Sequence, residues 1–88
     1  MLYNYYMINT ITEIHDLFFK IKAAYAEGDI VTAERLDWEF TEAKEAAWDN
    51  LATLDLEDKG YREAEKLYSG FVTTEAYINH LFDKYNDL

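Results

Sequence analysis

The residues best suited to catalysis in this sequence are two histidines, His15 and His80, and a large set of carboxylates. Glu13 lies two residues from His15, and Glu75 lies five from His80. Neither spacing places the two side chains on one face of a helix, and no Glu-x-x-His pair of the di-iron type occurs. We therefore expect both histidines to be ordinary surface or boundary residues.

Carboxylates do pair at helical spacing, as in Glu42 with Glu45 and Glu45 with Asp49. Calcium loops need closely alternating acids around a glycine, whereas these acids share a helix with an apolar stripe and must fill its polar side. The three glycines are isolated, so there is no phosphate-binding loop, and the absence of cysteine excludes a thiolate zinc site and a cysteine nucleophile. We expect no metal, no cofactor and no enzymatic activity.

Composition and charge limit the partners. The 88 residues suffice for one domain, and a chain that is 50% hydrophobic and 17% aromatic is too apolar for disorder. A net charge of −10 repels nucleic acid and anionic membranes and favours a partner protein with a basic surface. The apolar runs are too short for a membrane span, and the N-terminus lacks a signal-peptide pattern, so we expect a cytoplasmic protein.

Helical periodicity predicts an all-α fold, a compact bundle of three to four helices built on a long antiparallel helical hairpin. The first helix spans about 11–27, with a capping box from Thr10 and Glu13 and a stop at Gly28. The second spans about 30–54, with Asp29 as its N-cap. The short turn between them implies the antiparallel hairpin.

The second half of the chain predicts two shorter helices within the single helical domain 1–88. One spans about 57–69 and ends at Gly70, and the other spans about 74–86, capped by Thr73 with a hydrophobic staple of Val72 and Tyr77. Residues 1–8 precede the periodic pattern and are interpreted as an N-terminal arm, with either Met1 or Met7 as the start.

Apolar residues that recur at steps of three and four predict the buried faces of the helices. In chain order these are Ile11, Ile14, Leu17, Phe18, Ile21, Ala24, Tyr25, Ala33, Leu36, Phe40, Ala43, Ala47, Leu51, Leu54, Tyr61, Ala64, Leu67, Tyr68, Phe71, Ile78, Leu81, Phe82 and Tyr85.

Trp38 does not belong to the buried stripe of the second helix. On a helical wheel with Ala33 at zero, the core positions fall between about −80° and 0°, whereas Trp38 lies at about 140°, among acids at about 100° to 180°. Either it belongs, with Val31, Trp48 and Ala52, to a second buried stripe under the last helix or the N-terminal arm, or it is an exposed anchor ringed by carboxylates. The second interpretation predicts a partner-binding set of Glu34, Trp38, Glu39, Glu42, Glu45 and Asp49.

These features favour a small, acidic, non-enzymatic protein-binding module. We expect an inhibitor or decoy that occupies a basic surface of a nucleic-acid-handling or defence protein, as inhibitors encoded by bacteriophages do. The acids of the second helix are spaced about 4.5 Å apart, too sparsely for one helix to act as a nucleic-acid mimic of a duplex. The alternative is a self-assembling structural or adaptor protein that dimerises through the Trp38 face and the arm.

Overall fold

The computed structural model describes residues 8–86, which form three α-helices packed against one another. They are α1 (Ile11–Ala26), α2 (Ile30–Ala52) and α3 (Tyr61–Asn86), and no strand occurs in this range. The prediction of an all-α bundle of three to four helices is confirmed at the level of three packed helices. None of the helices in the described range is long and apolar enough to cross a bilayer.

The ends of α1 and the start of α2 follow the predicted local chemistry. The Glu13 amide donates to Oγ1 of Thr10 at 3.1 Å, and the Thr10 amide donates back to the Glu13 carboxylate at 3.2 Å. Gly28 has φ of 78°, a left-handed conformation that favours glycine and ends the helix. Asp29 accepts from the amide of Thr32 at 3.2 Å and caps α2.

The core lies where the three helices meet. Phe40 of α2 and Phe71 of α3 are fully buried with their rings edge to face, 5.3 Å between centroids, and Ile14 and Ile21 of α1 pack into the same cluster. Small Ala43 lies buried in the cluster, as do Ala33 and Ala47. The predicted stripe is thus largely the observed core, although Ile11 and Phe82 remain partly exposed.

Contacts between helices fix their directions. Phe18 lies 6.3 Å from Tyr77 and Tyr25 stacks on Tyr85 at 5.5 Å, so the numbers rise together and α1 runs parallel to α3. Between α2 and α3 the order reverses, because Lys44 bonds Glu75 whereas Trp48 lies on Tyr68.

The second half of the chain corrects the prediction of two short helices, because α3 continues through Gly70 without a break. A Cβ built on Gly70 would lie 2.5 Å from Cδ1 of Ile11 and 3.3 Å from Cδ1 of Ile14. Gly70 therefore provides close approach of α1 to α3 and does not end a helix. Thr73, predicted as a cap, lies inside α3, as do the staple residues Val72 and Tyr77, both of which are exposed.

The connection between α2 and α3 spans residues 53–60 and replaces the predicted helix start at 57. The Asp58 carboxylate accepts from the Asp55 amide at 2.8 Å, and the Asp58 carbonyl accepts from the Tyr61 amide at 3.1 Å. Asp58 thus organises a turn just before α3. The predicted arm lies outside the described residues except for Ile8, which packs half-buried against the core.

Candidate docking face

Trp38 lies on the solvent side of α2 and is 61% exposed. Its register places it about 140° from Ala33, while α1 and α3 pack on the opposite side of the helix. Val31, two turns earlier on the same side, is 79% exposed. An apolar strip of two large side chains therefore remains accessible on the side of α2 that also carries several acids.

The acids predicted to surround Trp38 fall into two groups. Glu34, Glu45 and Asp49 are exposed, and Glu42 is half-buried. Together with Val31 and Trp38 they form what we call the α2 outer face: Val31, Glu34, Trp38, Glu42, Glu45 and Asp49.

Glu39 departs from the prediction that it contacts a partner. It is only 8% exposed, and its Oε2 accepts from Nη1 of Arg35 at 3.1 Å. On the helical wheel it lies about 100° from Trp38, on the flank of α2 that the neighbouring helices cover. We therefore exclude Glu39 from the α2 outer face.

The two basic residues of α2 are both held in ion pairs, which leaves the α2 outer face acidic. Arg35 pairs with Glu39, and Nζ of Lys44 lies 2.7 Å from Oε1 of Glu75 on α3. Among residues 8–86, none of the four acids of the α2 outer face forms an ion pair. Their charge is therefore directed to solvent and available to a basic partner.

Burial and acidic neighbours raise the pKa values of two groups at the contacts of α2. Burial and then the charge of Glu75 raise the pKa of Asp37, which lies between Trp38 and the contact with α3. Burial raises the pKa of the Tyr25 hydroxyl on α1, and the charges of Asp37 and Glu34 add to the increase. The negative field of α2 therefore extends across the contact with α1.

Trp48 behaves differently from Trp38, although the two were grouped in one of the sequence interpretations. Trp48 is 50% exposed, but its ring lies 5.2 Å from the ring of Tyr68 on α3. It closes a shallow depression between α2 and α3 that Thr41 and Glu45 also line. Trp48 is thus a boundary residue and a natural control for Trp38.

A second exposed apolar surface was not found from the sequence. It is a shallow cavity of about 230 Å³ between α1 and α3, which we call the α1–α3 groove, lined by His15, Phe18, Phe19, Thr73, Thr74 and Tyr77. Phe19 is 58% exposed and Tyr77 is 62% exposed. The adjacent Phe18 and Phe19 were the available signal, because consecutive aromatics on a helix cannot both face the core.

Neither known proteins nor metal-binding clusters assign a function to these surfaces. No known protein family, curated protein or solved structure matches the chain. Among residues 8–86, no group of three or more His, Cys, Asp or Glu side chains is placed to hold a metal ion. The exposed surfaces of the chain are therefore its candidate functional sites.

Proposed function

We propose that this protein is a small acidic, non-enzymatic binding module that docks the α2 outer face on a basic surface of a partner protein. The observation that carries the proposal is the exposure of Trp38 among four acids that form no ion pair within the described residues. An aromatic anchor inside a charged rim is the usual composition of a binding hot spot. In this proposal the supporting frame is an antiparallel hairpin of α1 and α2, which the short connection at residues 27–29 supports.

The size of the available interaction supports Trp38 as the anchor. A tryptophan buries up to about 250 Å² in an interface, so the 61% of Trp38 that is exposed corresponds to about 150 Å². At roughly 25 cal/mol per Å², covering it would contribute about 4 kcal/mol before the costs of association are subtracted. The surrounding acids would contribute mainly to the rate of association and to the choice of a basic partner.

The spacing of the acids on α2 favours a partner protein with a basic surface. It does not favour mimicry of duplex DNA. With Glu39 excluded, Glu34, Glu42, Glu45 and Asp49 distribute four charges over about 22 Å of helix. Duplex DNA carries one charge per about 1.7 Å of its axis. The proposal is therefore an inhibitor or decoy that covers a basic patch, for which a nucleic-acid-handling or defence protein is the expected class of partner.

The test compares Trp38→Ala with Trp48→Ala in affinity capture from the source cell at low and high salt. We expect Trp38→Ala to weaken capture of a basic protein by at least about 2 kcal/mol and to leave the melting temperature nearly unchanged. Trp48→Ala should retain capture. Reversing Glu42 and Glu45 to Lys should slow association at low salt, with the effect fading as salt is added.

Reversal of Glu57 and Glu65 to Lys is the matched control, because both are exposed and lie off the α2 outer face. Equal loss of capture in this control would show that net charge alone matters. A Trp38→Ala variant that loses about 3–5 kcal/mol of folding free energy would instead make Trp38 a core residue and refute the proposal.

The alternative function is structural, with copies of the chain joining through the Trp38 face and the N-terminal arm. The observation that favours self-association is the second exposed apolar surface, the α1–α3 groove. A self-assembling protein would show a mass and a melting temperature that rise with concentration in the absence of any partner.

A further inference from the structure

The α1–α3 groove leaves large aromatic surface uncovered within residues 8–86. Phe19 and Tyr77 are each more than half exposed, and the half-buried Phe18 lies 5.5 Å from the ring of Phe19 and 6.3 Å from that of Tyr77. These three rings form one patch, in contrast to the isolated apolar side chains that are common on protein surfaces. A patch of this kind marks an interaction surface.

Two exposed lysines lie toward one end of the groove, in a chain whose net charge is −10. Lys22 lies one turn after Phe19 on α1, and Lys84 lies two turns after Tyr77 on α3. Nζ of Lys84 is 5.4 Å from the ring centroid of Tyr85, which itself stacks on Tyr25 across the α1–α3 contact. The exposed Asp16 lies one turn before Phe19, toward the opposite end of the patch.

The α2 outer face is the chemical complement of this groove. It offers two exposed apolar side chains, Val31 and Trp38, about 10 Å apart along one helix, with acids on both sides of Trp38. The groove offers aromatic rings with two lysines, Lys22 and Lys84, at one end. A single amphipathic helix laid into a groove between two helices is a recurrent mode of recognition.

We propose that the α1–α3 groove receives the α2 outer face of a second copy of this chain. In this contact Trp38 packs against Phe19 and Tyr77, and the acids beside it lie near Lys22 and Lys84. The inference rests on the proposed function, because both require the α2 outer face to be a docking face.

The two surfaces lie on opposite sides of the bundle. Each helix contacts the other two, so the groove between α1 and α3 opens on the side away from α2. The α2 outer face points away from α1 and α3. Each contact is therefore heterologous, with the face of one copy in the groove of the next. After two copies join, one α2 outer face and one groove stay unoccupied. The association continues in a head-to-tail series and does not stop at a dimer.

The first experiment is sedimentation equilibrium of the purified full chain over a range of concentrations. We expect the average mass to rise continuously with concentration. Trp38→Ala and the double variant Phe19→Ala/Tyr77→Ala should each weaken association at least about 30-fold, the hot-spot scale. Trp48→Ala and Phe82→Ala should not, because these residues are exposed to a similar degree but lie outside the contact.

A second experiment tests the role of charge with a matched pair of lysines. Lys22→Glu should weaken association, whereas Lys59→Glu, an identical change of charge in the exposed connection before α3, should have little effect. Equal effects of the two substitutions would show that the change comes from net repulsion between copies. They would contradict a specific role of Lys22 beside the groove.

The decisive experiment mixes the two defective variants. The Trp38→Ala chain keeps its groove, and the Phe19→Ala/Tyr77→Ala chain keeps its α2 outer face, so the mixture should form a one-to-one dimer that grows no further. If the Phe19→Ala/Tyr77→Ala variant associates alone as strongly as wild type, the contact is face to face and the proposal is wrong. If Trp38→Ala associates alone as strongly as wild type, the contact is groove to groove or involves residues 1–7, and the proposal is equally wrong.

Failure of this inference is distinguishable from failure of the proposed function. A wild-type chain that stays monomeric up to millimolar concentration overturns the head-to-tail contact, whatever the partner capture shows. Conversely, the Phe19→Ala/Tyr77→Ala variant keeps the α2 outer face and should still capture the basic partner. If folded Trp38→Ala loses this capture while Phe19→Ala/Tyr77→Ala keeps it, the proposed function is supported whether or not the chain self-associates.

Discussion

Gly70→Ala provides a direct test of how closely α1 and α3 approach. In the interior of a helix, alanine in place of glycine ordinarily stabilises by about 1 kcal/mol. Here the new Cβ would lie 2.5 Å from Cδ1 of Ile11 and 3.3 Å from Cδ1 of Ile14. Ile14 is fully buried and has little room to move, whereas Ile11 is partly exposed and can move at some cost.

Crowding of this kind typically costs about 1–3 kcal/mol. Set against the gain in helix propensity, Gly70→Ala should therefore lower the free energy of unfolding by about 1 kcal/mol. In an Ile11→Ala background the nearest atom is gone, and the same substitution should raise the free energy of unfolding by about 0.5–1 kcal/mol. The expected coupling between the two positions is about 1.5–2 kcal/mol.

Urea unfolding of the two single variants and the double variant, at an unchanged m-value, measures this coupling. Ser69→Ala, at an exposed position next to Gly70 on α3, is the control and should respond equally in both backgrounds. If the effects of Gly70→Ala and Ile11→Ala add within about 0.5 kcal/mol, the close contact between Gly70 and Ile11 does not exist and the packing of α3 against α1 at this point is wrong.

Two further predictions concern the core and the pH dependence of stability. Phe40→Ala should lower the free energy of unfolding by about 3–5 kcal/mol in urea titration, because the ring is fully buried against Phe71, and a loss below about 1.5 kcal/mol would contradict that packing. Asp37→Asn should raise the melting temperature at pH 7, because burial and Glu75 hold the pKa of Asp37 above 3.8 in the folded state, so that ionisation costs stability. This cost is absent below pH 3.8 and complete above the folded pKa, so the gain should vanish as pH falls toward 3.8; a gain that grew with acidity would refute the argument.

Local signals in the sequence predicted local structure well. The capping box of Thr10 and Glu13 and the stop at Gly28 act within one turn of the chain, so no distant contact is needed to recognise them. The buried stripes of α1 and α2 followed from periodicity for the same reason. The relative position of two helices could not be predicted from the sequence alone. The α1–α3 groove depends on that position.

Gly70 shows why the number of helices was uncertain. Glycine favours a helix end when the chain needs a left-handed residue, but it also favours a helix interior where a second backbone or side chain comes close. The local sequence around Gly70 does not distinguish these two roles. The atom that decides is Cδ1 of Ile11, which is far away in the chain and close only in the folded protein.

The position of Trp38 depends on the same residue. If Gly70 had ended a helix, residues 74–86 would have formed a separate fourth helix that could turn back and cover the outward side of α2. Since α3 is one helix of 26 residues, about 39 Å long, its last part stays aligned with α1 and lies beside Tyr25. Within residues 8–86 no helix remains to cover Trp38, and its exposure follows from the continuity of α3.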